Sequence, residues 1–361
     1  MPVITADRVL GPRTAGRGGV VGGATVPSVV ATVSDAGGRG RCSAGLVAEA
    51  GAHRRRRCRE PKPGPVRPRG RSRLPSARPP PALGRPRARA AATPGRYRYR
   101  VAWDELGEGV LRRRWPSLDL NVGAVLGEDE LLLVDTGSTP SEARALLAEL
   151  RRVTRLPCRR VVNTHWHFDH CFGNAALLPA VVHGHRRCAA LLRERGEEQR
   201  TEALRWLPDR GRELAGLEIV PPSRTLVERA EVEVGGRRVV LLHPGRGHTD
   251  HDVVVLVPDA GVLFAGDLVE EGAPPSFEDA WPLEWPAALG RLLQLGARTV
   301  VPGHGGLVDP GFVRGQREEL EAMARLCREV RDGRLPAPAA LARAPFPEPT
   351  AAVALRRAGP G

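Results

Sequence analysis

The chain has 361 residues, with 55 Lys+Arg against 41 Asp+Glu, a formal net charge of +14, 41% hydrophobic and 4% aromatic residues. The charge is one-sided: residues 1–100 hold 22 basic and 4 acidic side chains, whereas residues 101–361 hold 33 and 37. A mildly acidic main body argues against a nucleic-acid surface there, and the most apolar early stretch, Gly19 to Val33, is too diluted by Gly, Pro, Ser and Thr to cross a membrane.

Residues 1–95 read as disordered, being Arg-, Pro- and Gly-rich with no sustained period of 2 or 3.6. Three readings of this segment are open: a basic arm for nucleic acid or an acidic partner, a transit peptide, and a start codon placed too far upstream. The last is favoured, because Lys62 is the only lysine beside 54 arginines, the imprint of a GC-rich gene, with Val101 as an alternative initiator. Residues 96–335 are expected to form the folded domain and 336–361 a C-terminal extension.

Within the domain, strands are predicted at Leu118–Leu126 and Glu130–Asp135. A helix at Pro140–Val153 follows, then a strand at Cys158–Asn163. The next strand, Ala180–Val182, leads into a short helix at Arg187–Arg195 and a polar stretch, Glu197–Pro222, that would cover a cleft. Hairpins are expected at 231–240, across Gly235-Gly236, and at 252–264, across Pro258-Asp259; helices are expected near Trp285–Leu295 and Phe312–Arg331.

The most informative segment is His165-Trp166-His167-Phe168-Asp169-His170, three imidazoles and a carboxylate in six residues. His165 and His167, two apart at the end of an apolar strand, point to one side of an extended chain. Asp169 and His170 follow on the turn and could serve a second ion. Nitrogen and oxygen donors suit Zn(II), Fe(II), Mn(II) or Co(II).

The pattern His-x-His-x-Asp-His resembles the signature of the metallo-β-lactamase superfamily. Further elements in the same order strengthen the resemblance: Asp135-Thr136-Gly137 upstream, then Gly247-His248-Thr249, Ala265-Gly266-Asp267 and Pro302-Gly303-His304-Gly305, each after an apolar strand. The likeness covers roughly residues 105 to 335. It implies an α/β (α+β) fold, a four-layer αββα sandwich with ligands gathered at one edge of two sheets. It implies a first metal on His165, His167 and His248 and a second on Asp169, His170 and His304, with Asp267 bridging and a catalytic part for the carboxylates Asp169 and Asp267. Two Zn2+ with a bridging hydroxide would then cleave an ester, thioester, lactone or phosphoester. β-Lactamases of this fold carry Cys or Ser where Asp267 stands, so the resemblance points to the glyoxalase II-like branch. Too few residues follow His304 for the glutathione-binding helical domain of glyoxalase II itself. The alternative is a mononuclear Fe2+ persulfide dioxygenase using His165, His248 and Asp267. A non-enzymatic alternative is an Arg-rich nucleic-acid-binding protein with a degenerate domain.

Around these motifs, Asp135 is expected to support the site by hydrogen bonding. His185 is read either as a substrate contact or as a helix-start residue. His251 is read as a solvated or capping residue, His243 as structural and Cys171 as a small buried hydrophobe. Phe277, Trp281 and Trp285 would either wall the substrate or cap the core. Six cysteines without a Cys-x-x-Cys pair suggest a reduced, cytoplasmic protein. The expected partner is a small-molecule substrate, with no membrane and with nucleic acid only through the basic N-terminal segment.

Overall fold

The computed structural model describes residues 103–359, and the expectations for residues 1–95 lie outside them. Seven strands lie in sequence order in the first sheet: β1 (Asp104–Gly107), β2 (Val110–Arg114), β3 (Asn121–Leu126), β4 (Leu131–Val134), β5 (Cys158–Val162), β6 (Val181–His185) and β7 (Arg224–Leu226). The first four pair antiparallel and β4 to β7 pair parallel. The parallel crossovers carry α1 (Pro140–Leu150), α2 (Phe168–Cys171), α3 (Arg186–Trp206) and α4 (Gly211–Gly216). The second sheet contains β8 (Arg229–Val234), β9 (Arg237–Leu242), β10 (Val254–Val257), β11 (Val262–Gly266) and β12 (Thr299–Pro302), in spatial order β12-β11-β10-β9-β8. Helix α5 (Trp285–Leu293) joins the parallel pair β11 and β12, and α6 (Pro310–Arg331), α7 (Ala337–Leu341) and α8 (Glu348–Arg357) follow.

Period-2 alternation sorts the side chains into layers. Leu132 and Val134 of β4 face Leu241, Val255 and Phe264 of the second sheet in one buried cluster, whereas Leu131 and Leu133 pack outward with Ala143, Leu146 and Leu150 of α1. On the far side, Val254, Leu263 and Val300 pack against Leu289 of α5 and Leu320 and Met323 of α6. Helix, sheet, sheet, helix is therefore the layer order.

Two departures from the sequence reading have physical causes. The strand expected from Leu118 begins at Asn121, because Ser117–Asp119 forms a tight turn with Leu118 and Asp119 at φ 54° and 58°. Helix α3 does not stop at Arg195. It runs for 21 residues through Gly196, against which Ile219 packs so closely that a β-carbon there would lie 3.1 Å from it. The polar stretch after it is thus largely helix, and its charges form i,i+3 pairs such as Arg195–Glu198 and Glu197–Arg200. The C-terminal extension packs Phe346, Ala351, Ala354 and Ala358 into the core behind the second sheet. Among the described residues, no helix is long and apolar enough to cross a membrane.

Candidate metal centre

All seven residues singled out by the motifs come together at one edge of the two sheets, in two donor sets: His165, His167, His248 and Asp267, and Asp169, His170 and His304. Each lies at a strand end or in the segment just after it, so the rigid sheets fix its position. In the first set His167 Nδ1 lies 2.9 Å from His165 Nε2 and 3.0 Å from His248 Nε2. In the second, Asp169 Oδ2 lies 3.5 Å from His170 Nε2 and 3.3 Å from His304 Nε2. Asp267 stands between them: its Oδ2 is 3.7 Å from His165 Nε2, 3.6 Å from His248 Nε2 and 3.4 Å from His304 Nε2, and its Oδ1 is 3.2 Å from His170 Nε2. Room for that carboxylate exists only because residue 303 is glycine; a β-carbon there would collide with Asp267.

The far nitrogens of four of the five imidazoles meet oxygen acceptors, which fixes the tautomer and leaves the inward nitrogen a lone pair. His170 Nδ1 donates to Asp135 Oδ2 at 2.9 Å, and the same carboxylate accepts from the Thr164 N–H and Thr164 Oγ1, each at 2.8 Å. His165 Nδ1 lies 3.1 Å from Thr164 Oγ1. His304 Nδ1 donates to the Leu118 carbonyl at 2.7 Å, the use made of the left-handed turn before β3. His167 Nε2 donates to Asp279 Oδ2 at 3.1 Å, and that oxygen also accepts from Trp166 Nε1 at 2.9 Å. His248 Nδ1 has no hydrogen-bond partner among the described residues, and Glu270 Oε1 is 3.7 Å away.

The electrostatics differ across the centre. Burial disfavours charge on His165 and His248, holding both below the usual imidazole value, His248 at about 3. Burial also works against charge on His170 and His304, but the Asp267 and Asp169 carboxylates outweigh it and raise both well above that value. Asp267 is buried too, yet the neighbouring imidazoles hold its carboxyl far below the ordinary range. Three buried carboxylates, Asp135, Asp169 and Asp267, thus call for positive charge. His170 Nε2 and Asp267 Oδ1 are buried without a hydrogen-bond partner among the described residues. Converging lone pairs, concentrated negative charge and orphaned polar atoms fit divalent cations.

The other candidates find different surroundings. His185 caps α3: its Nδ1 accepts from the Arg187 N–H at 3.1 Å and its Nε2 donates to the Val227 carbonyl at 3.0 Å, so backbone groups occupy both nitrogens. His251 is buried rather than solvated, with Nδ1 2.7 Å from Asp250 Oδ1. His243 Nδ1 donates to the Asp252 carbonyl at 2.8 Å. Cys171 is buried, as expected of a small hydrophobe, and burial pushes its thiol far up. Phe277 and Trp285 belong to the core, whereas Trp281 lines a cleft beside the centre. Asp279 and Glu270 were not foreseen, because no spacing or motif marks a lone acid in a long loop.

The sequence pattern of the Metallo-beta-lactamase superfamily matches residues 118–304. The chain belongs to that superfamily. Its relatives include a linear primary-alkylsulfatase of a Pseudomonas species, 26% identical over 236 residues, which covers 55% of this chain and 43% of the alkylsulfatase. The chain thus spans less than half of that relative's length. A metallo-beta-lactamase type 2 of a Bacillus species is 26% identical over 53% of this chain and 69% of its own. An acyl-coenzyme A thioesterase, MBLAC2 of Bos taurus, is 28% identical over 51% of this chain and 72% of its own. Among solved structures, a metallo-beta-lactamase from Pontibacter korlensis superposes with a TM-score of 0.50 at 24% identity, covering 61% of this chain and 98% of that one, a likeness of fold.

Proposed function

We propose that this superfamily member is a cytoplasmic metal-dependent hydrolase that uses two zinc ions to cleave an ester, thioester, lactone or similar bond in a small molecule. The observation that carries this reading is the shared carboxylate: Asp267 lies within 3.7 Å of His165, His248, His170 and His304, so both donor sets are complete and joined. His165, His167 and His248 would hold one ion, Asp169, His170 and His304 the other, and Asp267 both. Ions so placed would supply the Lewis acidity that generates a hydroxide nucleophile from water at neutral pH and steadies the developing oxyanion. Asp135, Asp279 and the Leu118 carbonyl keep His170, His167 and His304 turned inward. Relatives named as an alkylsulfatase and acyl-coenzyme A thioesterases support hydrolysis, and the free cysteines Cys158, Cys171, Cys188 and Cys327 support a reducing compartment.

Elemental analysis together with substrate assays tests the reading. About two zinc equivalents per chain are expected. Turnover of activated esters, thioesters or lactones should be lost on chelation and restored by zinc, with poor turnover of β-lactams. A single iron with O₂ consumption in the presence of a persulfide would establish the dioxygenase instead, and efficient carbapenem or cephalosporin turnover would overturn the branch assignment.

A further inference from the structure

Beside the centre lies a cleft of about 230 Å³ whose lining includes Arg187, Arg195, Arg357, Trp166, Trp281 and His251. It adjoins the first donor set through Asp279, which accepts from His167, and through Thr249, next to His248. Its two carboxylates are already committed: Asp250 to His251 and Arg187, Asp279 to His167 and Trp166. Two of its arginines have acidic partners, Arg187 with Asp250 and Arg195 with Glu198. Arg357 differs. Its Nε donates to the Ala280 carbonyl at 3.2 Å and its Nη2 to the Asp279 carbonyl at 3.1 Å, and no carboxylate among the described residues lies within 4.0 Å of it. Carbonyls orient a guanidinium without neutralising it, so this exposed side chain presents its positive charge at the cleft, with no partner for Nη1 among the described residues.

A second observation points to a ligand. His251 lines the cleft and is 1% exposed; because its Nδ1 donates to Asp250, its Nε2 is an acceptor, without a partner among the described residues, which a donor group on the ligand beside its anion would satisfy. Trp166 and Trp281 add apolar walls, with Arg195 and Arg246 guanidinium groups 5.5 and 4.2 Å from their ring centroids.

We propose that α8 delivers Arg357 to this cleft as an anion-recognising residue, so that the substrate carries a carboxylate or phosphate-like group on an apolar body. The proposal rests on the hydrolase reading of the adjoining centre. Arg357 lies beyond the stretch matched to the superfamily, so the C-terminal extension would set substrate choice where the metal motifs set the chemistry.

The test compares wild type, Arg357→Gln and Arg357→Lys on three 4-nitrophenyl esters of similar size: neutral butyrate, succinate and 3-phosphonopropionate. Arg357→Gln should lower the ratio of kcat/KM for the anionic to the neutral ester about three- to tenfold, since the exposed guanidinium is partly screened by solvent, chiefly through KM. Arg357→Lys should recover most of it. Whichever anionic ester suffers more identifies the anion. An unchanged ratio in Arg357→Gln would overturn the proposal. If wild type hydrolyses none of the three, the hydrolase reading is judged separately by metal content and by thioester and lactone turnover, and calorimetric titration with N-(4-nitrophenyl)succinamic acid decides the anion site: binding at least about threefold weaker in Arg357→Gln supports it, and equal binding overturns it.

Discussion

In the second donor set both imidazoles are held by the buried scaffold, His170 by the fully enclosed Asp135 and His304 by the Leu118 carbonyl. The first set is held more loosely. His167 leans on Asp279, whose side chain is 39% exposed in the loop after β11, and the outer nitrogen of His248 has no hydrogen-bond partner among the described residues. Similar donors can thus be preorganised to different degrees.

Asp267→Ala should have the largest effect, since it removes the one residue that both sets share. Zinc analysis should fall at both positions, and hydrolysis should drop by more than the roughly 10–100-fold that loss of an outer hydrogen-bond partner costs. Retention of one full equivalent would show that the sets are independent. The contrast itself is probed by Asp135→Asn and Asp279→Asn. The first should weaken zinc at the second set by up to about 100-fold and disturb the first set less, only through Thr164 and His165, because an amide cannot accept on both former carboxylate oxygens. The second should cost closer to about tenfold and act on the first set, since solvent and the remaining amide oxygen can replace part of the contact. Competitive zinc titration reads both, and equal losses would erase the distinction.

A histidine outside both sets gives the smallest and cleanest effect. His183 on β6 is held down to about 4, first by burial and then by Arg160 and Arg224. The unfolded chain therefore binds the extra proton between pH 4 and the ordinary imidazole value of about 6.5, so this residue's stability contribution rises with pH across that window and is lost as pH falls. His183→Leu should flatten that part of the curve of unfolding free energy against pH; an undiminished slope would assign it to other groups.

What the sequence made legible was periodic or clustered. Alternating apolar residues located the strands, and the candidate donors were legible because they cluster in the segments that follow strand ends. Groups that act through a single long-range contact were not. Asp279, the Leu118 carbonyl and Arg357 acquire a role only when segments distant in sequence meet, and no local pattern announces that. The length of α3 was hidden for a related reason: Gly196 reads as a break, and only the close approach of Ile219 accounts for a glycine within a continuous helix. Helices α7 and α8 were missed because their buried face is mostly alanine, a weak amphipathic signature.

The bond from His304 to the Leu118 carbonyl joins residues 186 positions apart. Nearby, Arg112 reaches the Gly305 carbonyl and Asn121 the Pro302 carbonyl, so the opening strands of the first sheet clasp the loop after the last strand of the second. A cation seated on Asp169, His170 and His304 would act as the rivet of that clasp, tying the segment after β5 to the segment after β12. Because binding to the folded state alone stabilises it by mass action, about 2.7 kcal/mol at a hundred times Kd, metal supply would set how long the two sheets stay together as well as how fast the centre works.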